Sequence, residues 1–267
     1  MTLKFSILTL IVVLLSLVTS TTVFSNSELY NNRGLEIAIE ADRRDTGFGD
    51  SSASIQMILR NRHGEVSHRE LRNKTLEVEN DGDKVIIIFD TPRDVRGTAF
   101  MSFTHKFEPD DQWLYLPALK RIKRIASRNK SGPFMGSEFA YEDISSQEVE
   151  KYRYKYIKNE TFDGRKHFLI ERYPLDQKSG YVRQKVWIDQ SEYRIWKIDF
   201  YNQTDTLLKT LNFDDYQQYL GRYWRANIME MKNHLTGKST LLKWRDFHFN
   251  NGFTEQEFTR HALKKIR

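Results

Sequence analysis

The sequence predicts a mainly β fold of the α+β class: one strongly curved antiparallel sheet or open barrel, with a few helices against one face. Three observations carry this. From about residue 50 onward, short runs alternate apolar and polar residues, the period of half-buried strands. Turn signals separate the runs, at Asn80-Asp81-Gly82-Asp83, Asp163-Gly164, Ser179-Gly180 and Asn250-Asn251-Gly252. No strand–helix–strand alternation appears, which disfavours a parallel α/β sheet.

The elements follow in order. Lys4 and the apolar run Phe5 to Val18 read as the basic and hydrophobic parts of an export signal, with small residues offering cleavage after Ser20 or Ser25. We therefore expect residues 1–25 to be a signal peptide and 26–267 one domain; a retained anchor helix is the other reading. Residues 28–46 read as a helix with Leu35, Ala38, Ile39 and Ala41 on one face and Gly47 as its stop. Strands are expected near 51–61, 67–79, 84–90, 98–106, 112–116, 121–127, 151–162, 166–173, 181–189, 194–202, 206–215, 223–233 and 239–250. The total is put at ten to twelve, with 112–116 and 121–127 merging or one of them failing. In the last strand Leu241, Lys243, Arg245, Phe247 and Phe249 face one way, and Leu242, Trp244, Asp246 and His248 the other. A stretch near 133–147 and the last dozen residues read as helical or irregular.

Composition narrows the function. The chain has 267 residues, 13% of them aromatic, and no cysteine. That load of large side chains excludes disorder. Zero cysteine excludes disulfides, thiolate metal sites, cysteine nucleophiles and lipid attachment at an N-terminal cysteine. An exported chain without cysteine fits a bacterial envelope better than a eukaryotic secretory route. The net charge of +6 is too mild to indicate nucleic acid, which is an improbable partner for an exported protein.

Catalytic motifs are missing. Gly237-Lys238-Ser239 resembles the end of a phosphate loop, but Lys232 stands where its first glycine belongs. There is no G-x-S-x-G elbow and no H-E-x-x-H, and the seven histidines lack ligand spacing. We expect no enzyme, no metal and no cofactor. Several strands are apolar on both faces, so both must be covered, by packing or around a ligand cavity. The segment 117–132 holds Lys120, Arg121, Lys123, Arg124, Arg128 and Lys130, a basic edge or a rim for acidic headgroups or a protein partner.

Two strings carry a resemblance: Trp113-Leu-Tyr-Leu-Pro-Ala-Leu-Lys-Arg121 and Gly136-Ser-Glu-Phe-Ala-Tyr-Glu-Asp143. Gly180-Tyr181, Trp187-Ile-Asp189, Lys209-Thr-Leu211 and Gly237-Lys-Ser-Thr240 follow in order. Over about residues 33–265 the chain resembles the outer membrane lipoprotein-sorting protein family. The resemblance implies a fold similar to the LolA/LolB carriers, an incomplete antiparallel barrel whose helices lid an apolar cavity. It also implies a periplasmic setting, often beside exporters of the RND type.

On that basis the expected function is a periplasmic carrier of lipid or lipoprotein acyl chains; the alternative is a docking module of an RND-type exporter. Cavity or lid candidates are Trp113, Tyr115, Phe134, Phe139 and Tyr141, apolar bulk beside glycines and irregular structure. Rim candidates are Arg121 and Arg124, where peripheral membrane contact is possible.

Overall fold

The computed structural model describes residues 26–265. The expected signal peptide lies outside them. All thirteen expected strand segments are strands, so the count exceeds ten to twelve, and they form one antiparallel sheet. The first six are β1 (Asp50–Arg60), β2 (Val66–Leu76), β3 (Lys84–Thr91), β4 (Ala99–Phe103), β5 (Asp111–Leu116) and β6 (Arg121–Ile125). Successive hairpins join them, and β5 and β6 stay separate because a turn at 117–120 reverses the chain. The other seven are β7 (Tyr152–Phe162), β8 (Arg165–Pro174), β9 (Tyr181–Asp189), β10 (Ile195–Asn202), β11 (Leu207–Tyr219), β12 (Tyr223–Asn233) and β13 (Ser239–Phe249).

The spatial order is β6-β5-β4-β3-β2-β1-β13-β12-β11-β10-β9-β8-β7. Strand β1 pairs with β13, so the two ends of the chain meet in mid-sheet. Strands β6 and β7 are the free edges, and the barrel is not closed. Residues 126–151 run from one edge to the other and hold the short helix α2 (Tyr141–Ile144). Two clusters divide the core. The inner one gathers Ile55, Met57, Leu71, Val85, Ile87, Phe89 and their neighbours with Phe134 and Phe139. The outer one sets Ile86, Ile88 and Met101 against Phe258 and Leu263. Strand β3 is thus apolar on both faces because the C-terminal segment, ending in α3 (Arg260–Leu263), covers its outer side.

The first helix, α1 (Asn26–Asp45), has Glu28 in its first turn and Arg43 and Arg44 in its last, charges that suit its dipole. Its packed face is only partly the one expected: Ala38 and Ala41 face inward, but Leu35 and Ile39 do not. Gly34, Ile37 and Ala38 are buried, whereas Leu35 and Ile39 are 39% and 49% exposed. The reason is close approach to β7: a Cβ on Gly34 would stand 2.7 Å from the backbone nitrogen of Tyr156. Small residues let the helix seat on the strand beside buried Ile37, and Leu35 and Ile39 turn outward.

Buried Asp50 ties the C-terminal segment to β1. It accepts hydrogen bonds from the backbone of Asn251 (2.7 Å), Gly252 (2.9 Å) and Phe253 (3.2 Å), and from Asn251 Nδ2 (2.9 Å). Burial opposes its ionisation, but these donors win and hold the carboxyl below its usual range. The stability it supplies is therefore present above the ordinary carboxylate range and lost as pH falls below that range through its lowered folded value. Asp50→Asn should cost about 2 kcal/mol, the scale of hydrogen bonds to a charged group. The urea midpoint at pH 7 reads this; an unchanged midpoint would mean the outer cover is held by apolar packing alone.

Candidate functional site

The inner face of the sheet encloses two adjoining cavities. The smaller, about 370 Å³, is mostly apolar. Its walls come from β1 (Ile55, Met57), β11 (Phe213), β12 (Ala226, Met229) and β13 (Leu242, Trp244, Phe247). Phe134 and Phe139, from the crossing segment, reach it and are 0% and 1% exposed. The larger, about 1140 Å³, lies toward the C-terminal end of α1 and is lined by Tyr154, Ile170, Val186 and Ile188 and by many charged groups. The two share Phe48, Asp83, Phe213, Tyr216 and Trp224 as lining residues, so an occupant can extend from one into the other.

A bulge builds part of the apolar wall. Between the pairs Ser52↔His248 and Ser54↔Arg245, β13 has one residue more than β1. Asp246, at φ +54°, absorbs it. Phe247 therefore swings to the side of Trp244 and stacks on it at 5.8 Å. Phe247 also packs on Tyr219 at 5.2 Å, and Phe249 on Tyr223 and Phe48 at 6.2 and 6.3 Å. The simple alternation expected along this strand fails at the bulge.

The crossing segment is pegged to the sheet by charge. Lys209 on β11 pairs with Asp143 at 2.7 Å, with both side chains at most 5% exposed. Lys209 also donates to the Glu138 carbonyl at 3.0 Å, and Tyr181 donates its hydroxyl to Asp143 at 2.9 Å. Asp143 accepts from the Ala140 backbone as well, capping α2. Glu142 takes hydrogen bonds from Ser179 Oγ and the Gly180 backbone, both at 2.8 Å. The acidic pair and the Gly180-Tyr181 and Lys209 strings thus meet in space, as pegs that seat Phe134 and Phe139 over the cavity.

The other candidates are placed apart. Tyr141 packs against Phe134 at 5.5 Å and Phe100 at 5.7 Å and lines neither of the two cavities. Trp113 and Tyr115 do not join the site. Alternation along β5 turns Gln112 and Leu114 inward and puts these two rings on the outer cluster, beneath the C-terminal segment. Arg121 and Arg124 are exposed on the edge strand β6, and Arg124 is paired with Asp111. Of the residues that do line the apolar cavity, Phe213 and Met229 were not singled out, and Trp244 and Phe247 were expected on opposite faces of a strand covered by packing or around a cavity. Their alternation with polar neighbours was visible, but not which face would be left unfilled.

Comparison with known proteins places this geometry. A family model described only as an uncharacterized protein matches residues 81–265. A crystal structure from Vibrio parahaemolyticus, provisionally named an outer membrane lipoprotein-sorting protein domain, is 56% identical, with a TM-score of 0.86 over 88% of this chain and 99% of that one. The chain belongs to the outer membrane lipoprotein-sorting protein family. A DUF1329 family protein from Desulfovibrio piger is 27% identical, with a TM-score of 0.83 over 88% of this chain and 99% of its own. A LolA superfamily protein from Nitrosomonas europaea shares the fold at 20% identity, TM-score 0.69, covering 86% of this chain and 98% of that one. No curated protein matches the chain. The LolA-like fold expected for the family is the fold observed, as an unclosed sheet. No helix among the described residues is long and apolar enough to cross a membrane.

Proposed function

We propose that this member of the outer membrane lipoprotein-sorting family is a periplasmic carrier, exported by a cleaved leader, that shelters an acyl chain of a lipid or lipoprotein inside its sheet. The observation that carries this is the apolar cavity of about 370 Å³ between β1, β11–β13 and the crossing segment, adjoining a larger one that carries many charged groups. Its size falls in the range of about 300–1000 Å³ that small ligands occupy. Each methylene moved out of water gains about 0.8 kcal/mol, so a chain crossing an aqueous compartment needs such a shelter and no catalytic group. The family name and the shared LolA-like fold support the same reading.

A second reading, a docking module for an RND-type exporter, is favoured by one observation. Strand β6 and the turn before it present Leu119, 63% exposed, among Lys120, Arg121 and Lys123 on a free sheet edge. In a carrier the same edge would meet an acidic membrane or partner surface, with Arg121 foremost since Arg124 is already paired.

Lipid extraction of the purified mature chain followed by mass spectrometry tests the carrier, together with uptake of a dansyl-labelled undecanoic acid. Ala226→Trp, which pushes an indole into the apolar cavity, should weaken uptake at least tenfold, about 1.4 kcal/mol. A folded, lipid-free protein that takes up no probe would favour docking instead.

A further inference from the structure

We propose that Asp42, Asp83 and Glu148 form a subsite for an organic cation, the ammonium headgroup of an amphiphile whose apolar chain lies in the adjoining cavity. This deepens the carrier reading and rests on it. The three carboxylates come from separate elements: α1, the turn before β3, and the crossing segment. All three line the larger cavity, and Asp83 lines both. None has an ion-pair partner among the described residues, although salt bridges are plentiful elsewhere.

Glu148 is the independent sign. It is only 8% exposed and borders the cavity, and its carboxylate accepts no hydrogen bond from any described residue. Its Oε1 fills the space that a Cβ on Gly82 would need, at 2.8 Å. A carboxylate this buried and unpartnered is costly unless something else neutralises it. The Asp83 carboxylate accepts only a serine hydroxyl among the described residues, from Ser146 at 3.2 Å. Burial, and then mutual repulsion with other acids, pushes both Asp83 and Glu148 up to about 7.

The neighbouring cations supply only part of the missing charge. Lys106 faces Glu148 and Asp42, but its ammonium sits 3.9 Å from Glu150. Lys151 is paired with Asp110, and Arg225 with Asp45. Glu77 is held by the backbone of Gly47 and Gly49 and adds negative charge toward Asp83. The described carboxylates do not converge closely enough to hold a metal ion. A larger cation, with an apolar chain to fill the space beyond Phe213 and Trp224, suits the lining and volume of the two cavities.

The sign of the pH dependence follows. A raised carboxylate contributes stability below its ordinary range and loses it as pH climbs through the folded value, here about 7. An ammonium ligand binds the ionised form, so its affinity rises over the same interval.

The test is isothermal titration of the mature protein with dodecylamine, 1-dodecanol and dodecanoate below their aggregation limits. At pH 8 dodecylamine should bind at least tenfold tighter than dodecanol, and at pH 5.5 less than threefold. Asp83→Asn with Glu148→Gln should erase the preference while leaving dodecanol binding unchanged. Glu148→Gln alone should raise the melting temperature at pH 8, which shows that the variant folds and that the charge was uncompensated. Equal binding of amine and alcohol, or a preference that survives both substitutions, overturns the subsite while the carrier stands. Tighter dodecanoate overturns it too, and points to Arg172, whose buried guanidinium borders the same cavity. Failure of all three probes overturns the carrier itself.

Discussion

Lys209→Met should be the most damaging single substitution outside the apolar core, lowering stability by about 3–5 kcal/mol. The lysine and Asp143 are among the most deeply buried charged side chains, at 5% and 4% exposure. Removing the ammonium leaves a carboxylate with Tyr181 and the Ala140 backbone as donors but no counter-charge. Such a loss is large against a typical domain stability of about 5–15 kcal/mol. It also frees the Glu138 carbonyl and loosens the segment that seats Phe134 and Phe139, so dye binding to exposed apolar surface should rise before global unfolding. The double variant Lys209→Met with Asp143→Leu should recover at least half of the loss, because both charges leave together. Urea midpoints of the three variants check this. A single-variant loss under about 1 kcal/mol would show that the crossing segment is held by its aromatic packing instead.

The second large effect is at Gly34, and its sign is the diagnostic. In an exposed helix, alanine is more stable than glycine by about 1 kcal/mol. Here the added Cβ would meet the Tyr156 nitrogen at 2.7 Å and the Lys155 carbonyl carbon at 2.8 Å, both backbone atoms that cannot rotate away. Gly34→Ala should therefore destabilise, by about 2 kcal/mol in the range of overpacking, and Gly34→Val by more. Because α1 borders the larger cavity through Ala38 and Ala41, the helix should lift from β7. Faster amide exchange along β7 and α1, with little change in β1–β3, would locate the damage. A rise in the urea midpoint for Gly34→Ala would show that the helix is not seated as described.

The two effects share a cause. In an unclosed sheet, what covers the concave face is held by a few specific contacts. Lys209 is one such contact and Gly34 another. The corresponding contact for the convex face is Asp50, whose loss should be smaller because Phe258 and Leu263 remain packed on Ile86 and Ile88.

Much of this architecture is local in origin and was legible in the sequence. Alternation and turn residues located all thirteen strands, since the period of two and the demands of tight turns act over a few neighbours. The helix at 26–45 was legible too, within two residues. Two linear strings sufficed to indicate the family. Tertiary structure decided the rest, because it depends on partners far apart in the chain. Which face of α1 is packed was settled by steric fit at Gly34, which brings in Ile37 rather than Leu35 and Ile39. Trp113 and Tyr115 went to the outer face because their parity on β5 opposes Leu114, and a segment some 140 residues later covers them. Phe247 reached the cavity wall only through one inserted residue at Asp246, a register shift that no periodicity discloses. Glu148, Asp83 and Asp42 lie on three separate stretches of sequence. Their missing counter-charge is a property of the folded cavity, since each is an ordinary solvated acid until folding removes its water.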